Sequence, residues 1–311
     1  MHDYYVDRLL HLQSFEWLAR LFRTKRAAGG GGIHGTSQDE VRGGNAVNLA
    51  QASARLGLRT LLITHSDAPH VPLLREAFDG LDAELRIKPP PAALTIAFEE
   101  KVNVMLGDER GASDFGPSLL VESDWAALER SKVVCSVNWA ANRQGTRLLA
   151  ALRRRMGRGK TIFLDPADFR DNVEGFAEVL RLIAEKRIVD WLSMNEQEAE
   201  ATARALGLKA RLPEEVCLQV ARTLGVVFDV HCTGMSFSSE GTRVARAEAR
   251  YVSARRLTGA GDVWDAGAIC GRLMGLEEEQ RLRFANTVAR LYLQSSDHLP
   301  PTREQVRNAL R

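Results

Sequence analysis

The sequence predicts an α/β fold: a three-layer, Rossmann-like domain with a mainly parallel central sheet and a small β-sheet lid. Three observations carry that prediction. Short apolar runs alternate with longer segments of helical period over most of the chain, the pattern of βαβ units. Two stretches break the alternation, a glycine-rich run and an antiparallel-looking pair of strands, and these suit a lid. A Gly-Ala-Gly-Asp turn, residues 259–262, opens a late apolar helix.

Taken in order, Met1–Asp7 reads as a first strand, and Ala27–Gly35 is glycine-rich with Ile33 its single large apolar residue. Strands are predicted at Thr60–Thr64, Val133–Val137, Thr161–Leu164, Trp191–Met194 and Val226–His231. Helices are predicted at Asn48–Leu56, Asp124–Arg130, Thr146–Met156, Glu196–Leu206 and Pro213–Leu224, and then at about Asp262–Leu273 and Glu277–Gln294. Thr95–Phe98 and Val102–Leu106 flank Glu99-Glu100-Lys101 as an antiparallel pair. Residues 1–311 are therefore read as one domain, with lid segments at about 27–42 and 94–115. No repeat of solenoid length is visible.

Composition excludes several function classes. A net charge of +2 gives no overall field for nucleic acid or an anionic membrane. Cys135, Cys217, Cys232 and Cys270 form no CxxC pair, so neither a structural metal site nor a disulfide framework is expected. No apolar run is long enough to span a membrane, and no signal-peptide layout stands at the N-terminus. The expectation is a reduced, cytoplasmic protein. A dinucleotide-dependent oxidoreductase is disfavoured, because no GxGxxG turn follows an early strand.

The chemistry concentrates at Gly259-Ala260-Gly261-Asp262. Small residues at a helix start let backbone N–H groups approach a ligand, and the positive end of the helix dipole favours an anion. A carboxylate in the same turn can take a proton from an attacking hydroxyl. Anion cradle and base together are what phosphoryl transfer to an alcohol requires. Taken alone, the string would also serve as an ordinary helix start with Asp262 as N-cap. A second motif, Gly43-Gly44-Asn45-Ala46-Val47-Asn48, brings backbone close to a polar ligand and places an amide at a helix start. That combination suits a polyhydroxylated substrate.

With both motifs in view, the chain resembles the ribokinase-like (PfkB) family of sugar and nucleoside kinases. Asn195-Glu196-Gln197-Glu198 looks like that family's Asn-x-x-Glu element, and the three motifs follow the family's order. The resemblance implies that Asp262 is the catalytic base and that Gly259, Ala260 and Gly261 form the anion hole. Gly43, Gly44 and Asn48 would contact the acceptor, with Asp3, rather than Asp7, and Asn138 beside them. Asn195 and Glu198 would organise Mg2+ through water near the donor phosphates, and Gly234, Asn286 and Arg256 would border the nucleotide. Asp165 ends a strand at the ligand-binding edge of the sheet. The implied reaction moves the terminal phosphoryl group of ATP or ADP to a hydroxyl of a sugar or sugar phosphate. The alternatives are a nucleoside kinase, with Phe98 and Met105 as candidates for a base slot, and a non-catalytic ligand-binding relative. Lid strands have open edges, so a homodimer through the lid is a further expectation.

Three departures from the family pattern stand out. The chain starts almost at the substrate aspartate, so the first strand is expected to be shortened, replaced or missing. Arg256-Leu257-Thr258 stands where Asp-Thr-Thr is common, and a permanent guanidinium charge there would make a monovalent cation unnecessary. Only Gly234 of the usual glycine-rich nucleotide loop aligns, and His231-Cys232-Thr233 is similar to the ADP-dependent sugar kinases, which keeps both donors open. Arg42, Lys101 and Arg110 could pair with an acceptor phosphate, which favours a sugar phosphate.

Overall fold

The computed structural model describes residues 1–100, 103–255 and 257–310. Its strands are β1 (Tyr5–His11), β2 (Ser37–Gly43), β3 (Thr60–His65), β4 (Ala83–Lys88), β5 (Ala93–Glu99), β6 (Asn103–Asp108), β7 (Val133–Val137), β8 (Thr161–Asp165), β9 (Trp191–Asn195), β10 (Val227–His231), β11 (Met235–Ser239) and β12 (Val244–Glu248). Its α-helices are α1 (Phe15–Ala27), α2 (Asn45–Arg55), α3 (Val71–Glu76), α4 (Glu122–Arg130), α5 (Gly145–Met156), α6 (Val173–Lys186), α7 (Glu196–Ala205), α8 (Pro213–Leu224), α9 (Ala260–Leu273), α10 (Glu278–Gln294) and α11 (Arg303–Ala309).

The main sheet runs β12-β11-β10-β9-β8-β7, parallel from β7 to β10 and antiparallel through β11 and β12. Parallel β3 and β4 form a second piece. The first residues of the chain lie between the two pieces. The Met1 amine donates to Cys135 O in β7 at 2.5 Å, while His2 N donates to Ile63 O in β3 at 3.1 Å.

Strand side chains alternate between two apolar layers, as the period of a pleated strand requires. In β8 and β9, Ile162, Leu164, Leu192 and Met194 face a cluster that holds Leu148, Phe176, Ala199 and Val216 of α5 to α8. Phe163 and Trp191 face the opposite cluster, with Ala46 of α2, Ile269 of α9 and Ala285 of α10. Helices on both faces of a mainly parallel sheet give the three-layer α/β architecture that the alternation predicts.

The lid is a four-stranded sheet, β2-β1-β5-β6. β5 and β6 pair antiparallel, Leu94 with Asp108 through Glu99 with Asn103. Two features differ from the sequence expectation. The predicted first strand is divided: Asp3 ends its contact with the main sheet, and Tyr5–His11 becomes a central lid strand between β2 and β5. The glycine-rich run is preceded by α1, capped by Ser14, whose Oγ accepts from Trp17 N at 3.0 Å. Phe15, Trp17, Leu18, Leu21 and Phe22 follow a helical spacing, yet Leu18 is the one buried residue of α1. Residues 101, 102 and 256 lie outside the described residues, which takes Lys101 and Arg256 out of the structural account.

Candidate active site

The site forms where the first turns of α2 and α9 meet, Asn48 reaching Asp262, with Asn138 after β7 bonded to Asp3 and His231 at the end of β10 beside Gly261. Gly259 holds φ 85° at the N-cap of α9, and a Cβ there would lie 3.0 Å from Asn48 Nδ2 and 3.1 Å from Tyr292 Oη. Only glycine combines that backbone with that approach. The Ala260 amide turns back to Leu257 O at 3.2 Å, and the first amide to bond down the helix is Val263 N, to Gly259 O at 3.1 Å. The Gly261 and Asp262 amides therefore sit in the first turn, where α-helices leave donors over.

Asp262 is buried in that turn. Asn48 Nδ2 donates to its Oδ2 at 2.9 Å, and Oδ1 is buried with no hydrogen-bond partner among the described residues. Burial, reinforced by the Asp165 charge, holds the Asp262 carboxyl well above the usual carboxylate range, with the Asn48 hydrogen bond and the nearby Asn45 side chain pulling the other way. Asn48 is itself oriented by Arg42, whose Nη1 donates to Asn48 Oδ1 at 2.9 Å. Arg42 also donates to Gln51. The amide thus passes the orientation of a guanidinium to the carboxyl.

On the acceptor side, Asp3 is fully enclosed. Its carboxylate accepts from Asn45 N at 2.9 Å, Ala46 N at 2.8 Å and Asn138 Nδ2 at 2.9 Å. It fixes the start of α2 rather than pointing an unused oxygen outward. Gly44 holds φ 98°, and a Cβ there would meet Asp3 O at 2.9 Å. Gly43 backs onto Asp7, whose Oδ2 would lie 2.0 Å from a Cβ. Asn138 takes a left-handed conformation, φ 56°, after β7, and its N donates to Asp165 O at 2.9 Å.

On the other side of the Gly259–Asp262 turn lies a groove of about 720 Å³. Asn195, His231, Ala260, Gly261, Trp264 and Asn286 line it. The Trp264 and His231 rings lie 5.1 Å apart at 35°, and Trp264 Nε1 donates to Asn286 Oδ1 at 2.8 Å. Asn286 Nδ2 is held by Ala247 O and Glu248 O at 3.2 and 3.1 Å, so its amide orients Trp264. Gly234 does not line this groove; it sits in the turn between β10 and β11, where its O accepts from Ala249 N at 3.0 Å. Burial pushes the His231 imidazole down to about 4, leaving it neutral at physiological pH.

Asn195 and Glu198 form a capping box at the start of α7, Glu198 N to Asn195 Oδ1 at 3.0 Å and Asn195 N to Glu198 Oε2 at 3.1 Å. Burial, then repulsion from Asp165, raises the Glu198 carboxyl to about 8. Burial raises Asp165 to about 6. These are hard oxygen donors whose mutual repulsion a divalent cation would relieve, so Asp165, Asn195 and Glu198 fit Mg2+ with retained waters. Two carboxyls and an amide supply this set; no group of three or more His, Cys, Asp or Glu able to hold a metal ion occurs among the described residues.

Two buried side chains of this region escaped the sequence reading. Asp265, one turn beyond Asp262, accepts from Ser193 Oγ at 2.5 Å and is held well above the usual carboxylate range by burial and by Asp165. Trp264 forms part of the groove wall. The i, i+3 spacing from Asp262 was the available signal for Asp265. The base slot expected of Phe98 and Met105 does not form as one pocket: Phe98 pairs with Val104 and Met105 with Ala97, which puts the two side chains on opposite faces of the lid.

The pfkB family carbohydrate kinase profile matches residues 83–303, and the chain belongs to that family. It is accordingly a phosphotransferase with an alcohol group as acceptor, of the sugar and nucleoside kinase class. Among solved structures the chain is similar to adenosine kinase from Sinorhizobium meliloti, with a TM-score of 0.80 at 20% identity over 99% of this chain and 97% of that one. It is also similar to ribokinase from Thermotoga maritima (TM-score 0.77, 19% identity, 99% and 97% covered). A third similar structure is Arabidopsis thaliana ribokinase complexed with ribose and ATP (0.74, 20%, 100% and 97%). No curated protein sequence gives a significant match. No helix among the described residues is long and apolar enough to cross a membrane.

Proposed function

We propose that this protein phosphorylates a hydroxyl of a sugar or sugar phosphate, with Asp262 as general base, the Gly259–Gly261 turn as anion hole and a nucleotide, ATP or ADP, as donor. The observation that carries the reading is the Asp262 carboxyl. It stands in the first turn of α9 between a polar acceptor side and the 720 Å³ groove, with one oxygen fixed by Asn48 and the other without a partner among the described residues. Oδ1 is placed to accept the hydroxyl proton while the hydroxyl oxygen attacks the terminal phosphorus in line. Negative charge that develops on the phosphoryl oxygens meets the amides and dipole at the start of α9. Trp264 and His231, along the groove, suit the flat face of a nucleobase, with Asn286 holding the Trp264 ring in place. When bound, Mg2+ at Asp165, Asn195 and Glu198 would neutralise donor phosphate charge.

A sugar-type acceptor is favoured over a nucleoside because Arg42, Asn48 and Asn138 line the acceptor side with polar groups, while Phe98 and Met105 share no face. An activity matrix of ATP and ADP against pentoses, hexoses, sugar phosphates and nucleosides tests both choices. Transfer to sugars or sugar phosphates supports the proposal. Transfer confined to nucleosides replaces its acceptor, and nucleotide binding without transfer to any acceptor would establish a non-catalytic relative.

A further inference from the structure

Arg42 carries the last side chain of β2 and pairs with Val6 inside the lid, yet its guanidinium is spent on the main domain. β2 ends at Gly43 and α2 begins at Asn45, so Gly44 alone separates the lid strand from the helix. Across that bend Arg42 Nη1 donates to Asn48 Oδ1 at 2.9 Å, and Nη2 donates to Gln51 Oε1. Asn48 and Gln51 stand three residues apart on one face of α2 and are 7% and 2% exposed. Gln51 is held from behind, its Nε2 donating to Ala77 O at 2.6 Å. A planar guanidinium can serve two fixed amide oxygens at once, which the point charge of a lysine cannot.

The Asn48 amide has one acceptor end and one donor end. Its Oδ1 takes the Arg42 bond and its Nδ2 gives the Asp262 bond, each at 2.9 Å. Rotated by half a turn, the amide would set its NH2 against the guanidinium and its oxygen against the carboxyl, which is unfavourable at both ends. The guanidinium therefore selects the one orientation in which Asp262 Oδ2 receives a donor. Oδ1 of Asp262 is then the oxygen left for the acceptor hydroxyl.

We propose that Arg42 is a positioning residue that ties the lid to the base. With β2 seated against α2, the guanidinium sets the Asn48 amide and the amide holds Asp262 for proton transfer. With β2 lifted, the amide is released and the carboxyl loses its donor. This role deepens the kinase reading above and rests on Asp262 being the base. A base held in place only under a seated lid confines proton transfer to a site from which water is excluded. Linkage makes the tie reciprocal, so a change that frees Asn48 should also loosen β2.

Steady-state kinetics and amide hydrogen exchange on Arg42→Met, Arg42→Lys, Asn48→Ala and the Arg42→Met/Asn48→Ala double variant test the tie. Arg42→Met should lower kcat by about tenfold, the order expected for one lost charge-assisted hydrogen bond, with acceptor and donor KM moved by less than about threefold. Arg42→Lys can still reach Asn48 and should recover part of that loss; no recovery would place the effect in packing and overturn the proposal. In the Asn48→Ala background, Arg42→Met should change kcat by less than about twofold, because the link is already cut. Asn48→Ala should also speed exchange at the β2 amides of residues 40–43 by about fivefold or more. A raised acceptor KM at unchanged kcat, or additive losses in the double variant, would make Arg42 a direct acceptor contact and overturn the tie. Unchanged β2 exchange in Asn48→Ala overturns it as well. Exchange needs no turnover, so near-normal activity of Asp262→Asn, which refutes the base, is told apart from a missing link between lid and amide.

Discussion

Asp262 and Asn48 set the chemistry at the scale of single residues. Asp262→Asn keeps the shape and removes the proton acceptor, so turnover should fall by roughly 10²–10⁴-fold while nucleotide affinity changes little. Steady-state kinetics with a donor titration measures both, and near-normal turnover would refute the base assignment. A base must be ionised to act, and Asp262 is held above the usual carboxylate range. The acid limb of kcat/KM should therefore lie above the pH of an ordinary carboxylate, with activity rising as pH passes upward through it. Asn48 donates to the ionised form, so Asn48→Ala should move that limb further up. A pH–rate profile in which the limb stays put or moves down would show that Asn48 does not tune the base. The residue scale was the most legible in the sequence, because glycines beside an aspartate at a helix start have few physical uses. Less legible were the fates of Asp3 and Asn286, whose polar atoms are consumed by neighbours distant in sequence.

The helix starts carry the next level of argument. Asp3 accepts two amides of the α2 turn and the Asn138 side chain from outside the helix, an arrangement no local pattern announces. Asp3→Ala should cost about 1–3 kcal/mol of stability by leaving buried donors unpaired, measured by denaturant unfolding. A change within error would mean that water replaces the carboxylate freely. At the α7 start, burial raises Glu198 to about 8 from the ordinary glutamate value near 4.5. Its protonated form is favoured by folding, so its contribution is fully present below about pH 4.5 and is lost as pH rises through about 8. Unfolding midpoints of the metal-free protein should therefore fall between those limits, and Glu198→Gln should flatten the fall. An equal slope in that variant would place the dependence elsewhere.

Across the whole molecule, Arg281 and Asp229 form an ion pair with both side chains at 0% exposure, joined at 2.7 and 2.8 Å and supported by Ser238 and by Trp191 Nε1. The pair ties α10 to the floor of the sheet. Arg281→Met leaves a buried carboxylate and should cost about 3–5 kcal/mol, whereas replacing both partners by apolar residues should recover much of it. Equal losses in the single and double variants would show that packing, not charge, dominates there.

The sequence by itself determined the alternation of strand and helix, the two-faced burial of β8 and β9, and the three short motifs that mark a phosphotransferase. These depend on local periodicity and on residue types whose backbone or charge has few alternatives. Only the tertiary structure decided that Tyr5–His11 belongs to the lid, that Asp3 is spent on α2, and that Asp265 joins the buried carboxyls. Each depends on a partner tens to hundreds of residues away, and pairing at that distance follows from packing geometry that no local pattern encodes.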